Sequence, residues 1–391
     1  MKYLKKFETH QEYAAALESG MIKRPNVSLV GRDTINFLPL LPPDTIIIDQ
    51  TITDPAQMIS GDINGAQLQN IRNNTHRYLA KNTESGVMTL CQLDDSNSAL
   101  YADGTSAITS GAEGDVFVRL PRFAFKAEEM EANKWKISFI YGDAPDDSWQ
   151  VWDNNELIGA YEASLNNNKL YSYSDVLSDG GKSQTTYSSY AIARGVGFSL
   201  VKWKHHCILA FLFYALYGTT LGSSILGKGK ESQTNVAGGT NALGMTDTTS
   251  DNTGFVNFLG LENWFGARSC WLGNATASST TLTITEDDGS ERKISIASST
   301  GYISKVAIGQ RLDLAPTELG ATSKTGYCSN WGGDGSGVLA THCFNAGAGN
   351  FAEVFLKSKT YTYRNIGTRI AFRGVLKIET DTSAFKALSA I

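Results

Sequence analysis

No apolar run in this sequence approaches the ~20 residues that a membrane-spanning helix needs. The longest, "CILAFLFYALY" from Cys207 to Tyr217, reads instead as a buried helix, and no membrane insertion is expected. The opening "MKYLKKFETHQEYAAALESGM" starts basic but develops no apolar stretch, so it does not read as a signal peptide. Charge is scarce: 19% of residues are Asp, Glu, Lys or Arg, against ~25% in an average soluble protein. A net charge of −5 argues against a nucleic-acid partner, which Lys and Arg would have to neutralise. The cysteines Cys91, Cys207, Cys270, Cys328 and Cys343 are odd in number, widely spaced and never in a CxxC pair. That excludes a secreted disulfide framework and reads as free, mostly buried thiols, with a Cys328–Cys343 bridge left conceivable.

Catalytic signatures are missing too. There is no G-x-S-x-G, no dinucleotide-binding glycine fingerprint and no H-E-x-x-H. "GSSILGKG" approaches a phosphate-binding loop, but Gly229 stands where a Ser or Thr would hold magnesium, and the stretch follows a helix rather than a strand. His205 and His206 are adjacent on a helix, about 100° apart, a poor pair for one metal; one packed and one surface histidine is the simpler reading. His342-Cys343 with Cys328 lacks a second pair of ligands. "ITEDDGSERK" is acidic, but Asp-Asp-Gly between alternating runs is a hairpin turn rather than a calcium loop. Only the Asn and Asp residues near 245–257 leave an ion site open. No catalytic residue, metal or cofactor is expected.

What the chain has is Gly, Ser, Thr, Asn and Tyr, the composition of a turn-rich, β-containing protein. A helix is expected over 2–20, short strands in "RPNVSLV" and "TINFLPLLPPDTIIIDQTI", and a helix over about 65–80. Strands follow in "GVMTLCQLDD", "DVFVRLPRFAFKAEE" and "KWKISFIYGD". "YSSYAIARGVGFSLVKWKHHCILAFLFYALYGTT" reads as the main helical segment, stopping at Gly218. Residues 222–254 form a long loop that something must pin. "GLENWFG" reads as a core corner around Trp264 and Phe265, and "NIGTRIAFRG" as a buried final strand anchored by Ile366, Ile370 and Phe372. Arg369 and Arg373 are expected to hydrogen-bond loop carbonyls. From Ile296 onward, ten Lys/Arg face six Asp/Glu. Within that region "KSKTYTYR" alternates Lys357, Lys359, Tyr361 and Tyr363 with small polar residues, which in a strand would place all four on one face. Such a row is too polar for a core and too aromatic for an idle surface.

In order, "DPAQMISGDING", "GAEGDVFVRLPRFAFK", "LIGAYEA", "FYALYGTT", "NALGMTDT", "VNFLGLENWFG", "ITEDDGSERK", "GYISK", "TGYCSNW" and "NIGTRIAFRG" resemble phage and prophage tail-associated variable proteins of gut bacteria. Those proteins are targets of diversity-generating retroelements, and the resemblance runs from about residue 54 to the end. It implies an α+β protein with a C-type lectin-like fold, of the formylglycine-generating-enzyme-like subtype, in the C-terminal part, preceded by a small β-rich N-terminal region. The expected division is 1–50 for attachment or oligomerisation, 51–114 as a β-rich intermediate, and 115–391 as the ligand-binding domain, with a variable-type segment at about 326–374.

The implied framework is Gly326, Tyr327, Cys328, Gly337, Val338, Ile366, Gly367, Arg369, Phe372 and Arg373. The implied displayed, ligand-binding positions are Asn330, Trp331, Asp334, His342, Phe344, Asn345, Phe355, Lys357, Lys359, Tyr361 and Tyr363. Between them, "SNWGGDGSG" replaces the Tyr or Ser runs frequent in that group. The function implied is that of a receptor-binding protein or adhesin, not an enzyme, contacting a bacterial surface protein or glycan. Other tail proteins would be its partners, as a homotrimer within a virion assembled in the host cytoplasm. The rival expectation is a structural tail or baseplate component without receptor contact, with Tyr361 and Tyr363 covering a domain edge or a trimer interface.

Overall fold

The structure, a computed structural model, describes residues 27–29, 35–37, 41–229, 236–278, 280–320, 326–327, 330–333, 337–341 and 354–391. The chain forms two compact units, Met1–Pro43 and Asp44–Ile391. In the first, Val27–Leu29 pairs antiparallel with Ile35–Phe37. The helix expected over 2–20 lies outside the described residues.

The second unit is mixed α+β and mostly strand. Its centre is a seven-stranded sheet in the order Phe198–Leu200, Ile370–Arg373, Glu156–Gly159, Asp115–Arg119, His76–Glu84, Val87–Gln92, Val375–Ile378. Alternation along these strands supplies two cores at once, because successive side chains point to opposite faces. Leu79, Val116, Val118 and Ile158 enter the main core. Their neighbours Tyr78, Ala80, Phe117 and Leu157 enter a second core on the other face, with Ile370 and Phe372. A sheet buried on both faces is near-continuously apolar.

A five-stranded sheet holds Asp44–Asp49 between Lys134–Tyr141 and Ile59–Gly61, with Phe123–Glu131 and Gln150–Trp152 beyond. The largest sheet runs from Glu291–Ser295 through Thr281–Thr285, Ser269–Ser278, Gly337–Thr341, Val354–Lys357, Asn330–Gly333 and Gly301–Ala307 to Ala315–Gly320, with Ile366–Gly367 added parallel to Ser269–Ser278.

Five helices complete the unit among the described residues: α1 (Ala66–Asn73), α2 (Gln184–Ile192), α3 (Trp203–Tyr217), α4 (Gly222–Leu226) and α5 (Thr382–Ala387). Helix α3 is buried almost all round and ends, as expected, at Gly218 with φ 66°, where a left-handed C-terminal residue favours glycine. None of the described helices is long and apolar enough to cross a membrane.

Several expectations need correction. The helix expected over 65–80 stops at Asn73, because Leu79 pairs with Cys91 on one side and Val116 on the other; ladder pairing overrides local propensity. The segment from 187 to 220 is not one helix. Gly195 and Gly197, at φ 119° and 92°, break it so that Phe198–Leu200 can pair with Ile370–Phe372. The boundaries at 50/51 and 114/115 fall inside paired sheets: Asp44–Asp49 pairs with Lys134–Tyr141, and His76–Glu84 with Asp115–Arg119.

The hairpin at "EDDGS" forms as read, with Thr285 opposite Glu291. The long loop expected from 222 starts instead with helix α4, and its later part is pinned: the buried Glu262 carboxylate accepts from the backbone of Gly238 and Thr240 at 3.0 and 2.8 Å, and Asn257 Nδ2 donates to Gly244 and Thr246. Asp247 is no open ion site. It accepts from Leu259 N–H and the Tyr217 hydroxyl and faces Arg72 at 3.3 Å.

Candidate binding surface

The strand Val354–Lys357 pairs antiparallel with Gly337–Thr341 and parallel with Asn330–Gly333, then ends. Residues 358–365 turn rather than continue extended, so the four Lys/Tyr residues do not share a strand face. The turn gathers three of them by another route. Tyr361 N–H donates to Ser358 O at 2.8 Å and Ile366 N–H to Tyr363 O at 2.8 Å. The Tyr361 and Tyr363 rings stand 6.3 Å apart, and Lys357 Nζ lies 5.2 Å from the Tyr361 centroid, a cation–π distance. Tyr363 is 44% exposed, and Lys359, Thr360, Thr362 and Arg364 are exposed too. Tyr361 packs against the second core.

Both ends of the turn are tied by hydrogen bonds to their backbone. The Lys359 carbonyl accepts from Thr185 at the start of α2, and Gly181 N–H donates to Ile366 O at 3.0 Å. A Cβ on Gly180 would sit 2.4 Å from the Arg364 carbonyl, so Gly180→Ala is expected to displace the turn and cost about 1–3 kcal/mol. Denaturant midpoints of the two proteins check this. Beyond the turn, Arg369 is buried and donates to Gly159 O at 2.8 Å and to the Glu262 and Asn263 carbonyls, as expected for a framework arginine.

Of the other proposed display positions, Trp331 is corrected: at 3% exposure it belongs to the main core. Its strand is paired on both sides, with Gly301 and Val354 opposite it, and it takes the core side. Asn330 and Phe355 lie on sheet strands, but their side chains are outside the described set. Asp334, His342, Phe344 and Asn345 lie outside the described residues, as do Cys328 and Cys343. In the framework, Gly326 packs against Ser304 and Tyr327 is buried with its hydroxyl 3.2 Å from Gln50 Oε1. Trp264 and Phe265 form the core corner expected of them.

A charge network was missed by the sequence reading. Lys202 caps the start of helix α3 and Lys204 lies in its first turn, both cations at the positive end of a helix dipole. Asp287, in the hairpin turn, answers them at 2.6 Å each and also pairs Arg373. Arg373 thus bonds carboxylates rather than loop carbonyls. Glu156, on a central strand, meets Lys204 and accepts from His205 Nε2 at 2.9 Å. The Lys202 backbone N–H donates to His205 Nδ1 at 2.9 Å. Nδ1 therefore carries no proton, Nε2 does, and neither nitrogen is left to act as a base. Burial holds the imidazole below its ordinary pKa. Burial also pushes the Glu156 carboxyl up, but the His205 hydrogen bond and the Lys204 charge outweigh it and hold it at about 2. His206 is buried as well, which corrects the expectation of one surface histidine. A cation pair at a helix start was the available signal that acidic partners must lie nearby.

The three described cysteines, Cys91, Cys207 and Cys270, are free and buried. Burial pushes all three thiols up, Cys270 to about 12. Native-state alkylation followed by peptide mapping is expected to leave these three unlabelled until denaturant is added. No family model matches the chain, and no curated protein matches it.

Proposed function

We propose that the protein is a phage tail receptor-binding protein or adhesin. Its second unit would adopt a C-type lectin-like fold and grip a bacterial surface protein or glycan through the turn carrying Lys357, Lys359, Tyr361 and Tyr363. The observation that carries this reading is exposed aromatic and cationic side chains on a turn whose two ends are hydrogen-bonded to Thr185 and Gly181. Tyrosines on a rigid support offer large contact area at low entropic cost. Each side chain would contribute on the order of 1–2 kcal/mol, so affinity would rest on several copies acting together, a homotrimer within the tail. The N-terminal unit would attach to the particle. The binding is non-covalent and non-enzymatic in this reading.

The test is cell binding across a panel of gut bacterial strains, comparing the protein with a Lys359→Ala/Tyr361→Ala/Tyr363→Ala variant of unchanged melting temperature. Strain-selective binding lost in the variant is expected. Equal binding by both, or none by either, would favour a structural tail or baseplate component.

A further inference from the structure

A cleft of about 220 Å³ opens between the hairpin turn, the start of α3 and the edge strand Gln150–Trp152. It shares no residue with the turn at 357–365. Trp152, Trp203 and Phe125 give it aromatic walls, and Gln150, Asn274 and Arg311 are among its polar ones. Trp152 is 5% exposed, stacked on Phe123, and its buried indole Nε1–H has no acceptor among the described residues. A buried donor without an acceptor is costly unless something supplies an oxygen.

The charges around the cleft narrow the choice of ligand. Asp153 is paired with Arg122, and Glu156 and Asp287 with Lys204 and Arg373. Glu286 is paired with Arg292 and Arg311, and Asp313 with Arg292. An entering ion would compete with these existing pairs. A neutral hydroxyl does not, because carboxylates and guanidinium groups in ion pairs still have lone pairs and N–H groups to spare. The volume lies below the ~300–1,000 Å³ of clefts that hold drug-sized ligands. From the orphaned donor, the aromatic walls and the compensated charges we infer that this cleft is a binding site for one neutral, hydroxyl-rich ring, such as an uncharged hexopyranose.

Saturation-transfer NMR of the full chain with neutral methyl hexopyranosides (gluco, galacto and manno), beside the corresponding methyl hexuronides, tests it. Saturable binding of at least one neutral glycoside is expected. It should weaken at least about tenfold in Trp152→Phe, which keeps the ring and deletes the N–H, and in Gln150→Ala at the rim. Binding is expected to be unchanged in Tyr361→Ala/Tyr363→Ala, which separates this site from the recognition turn. Absence of saturable binding, equal binding by Trp152→Phe and Gln150→Ala, or a preference for the hexuronides would overturn the assignment.

Discussion

Replacing Arg77 by methionine is expected to lower the unfolding free energy by about 3–5 kcal/mol, the largest effect of any single exchange considered. Arg77 is 1% exposed. Its Nε donates to Gly260 O at 2.6 Å, Nη1 to Ser98 Oγ at 2.9 Å, and Nη2 to Thr240 Oγ1 and Asn257 Oδ1 at 2.8 and 3.1 Å. The guanidinium also lies 5.5 Å from the Tyr161 ring centroid. Burial raises the pKa of the Glu262 carboxyl, and the Arg77 charge is the leading influence against it. A methionine fills similar volume but leaves four acceptors unmet and the carboxylate without that charge. Arg77→Lys should recover only part of the loss, since an ammonium cannot reproduce the fork. Denaturant unfolding measures both. A loss under about 1 kcal/mol in Arg77→Met would show that the loop around Thr240 is held by other means.

The second large effect is with pH. An imidazole in the unfolded chain titrates near 6.5, whereas burial holds His206 down to about 3. Between those values the unfolded chain binds the proton and the native chain does not, so stability is complete above pH 6.5 and falls as pH drops towards 3. That gap is worth on the order of 5 kcal/mol. Glu156, ordinarily near 4.5 and held at about 2 in the fold, has a depressed carboxylate pKa. Its contribution is therefore present above pH 4.5 and lost as pH falls from there towards 2. Melting temperature against pH is expected to decline from about pH 6.5 downward, and His206→Leu should flatten the first part of that decline. An equally steep decline in His206→Leu would place the acid sensitivity elsewhere.

Much of the fold was legible where local chemistry decides the outcome. The Asp-Asp-Gly hairpin, the end of α3 at Gly218 and the burial of Ile366, Ile370 and Phe372 follow from turn residues and apolar spacing, although Ile366–Gly367 and Ile370–Arg373 join different sheets and the mostly exposed Val375–Ile378 is the last strand. The reading failed where distant pairing decides. Residues 76–84 have helix-compatible composition, yet they become a central strand because strands from both sides claim their backbone. The resemblance implied a displayed Trp331, but its strand is paired on both edges and its side chain goes inward. The charge network joins residues 156, 202–205, 287 and 373, a separation no local pattern reveals; only the cations at the helix start hinted at it. The Lys/Tyr row was noticed for its composition, and a turn rather than strand alternation brings Lys357, Tyr361 and Tyr363 together.

Hydroxyl-radical footprinting of the full chain bound to cells of a strain it recognises tests the central claim most directly. Protection of Tyr361 and Tyr363 relative to the free protein, with Val375 and Ile378 unchanged, is the result the recognition reading predicts. Unaltered oxidation of both tyrosines while another surface becomes protected would contradict it.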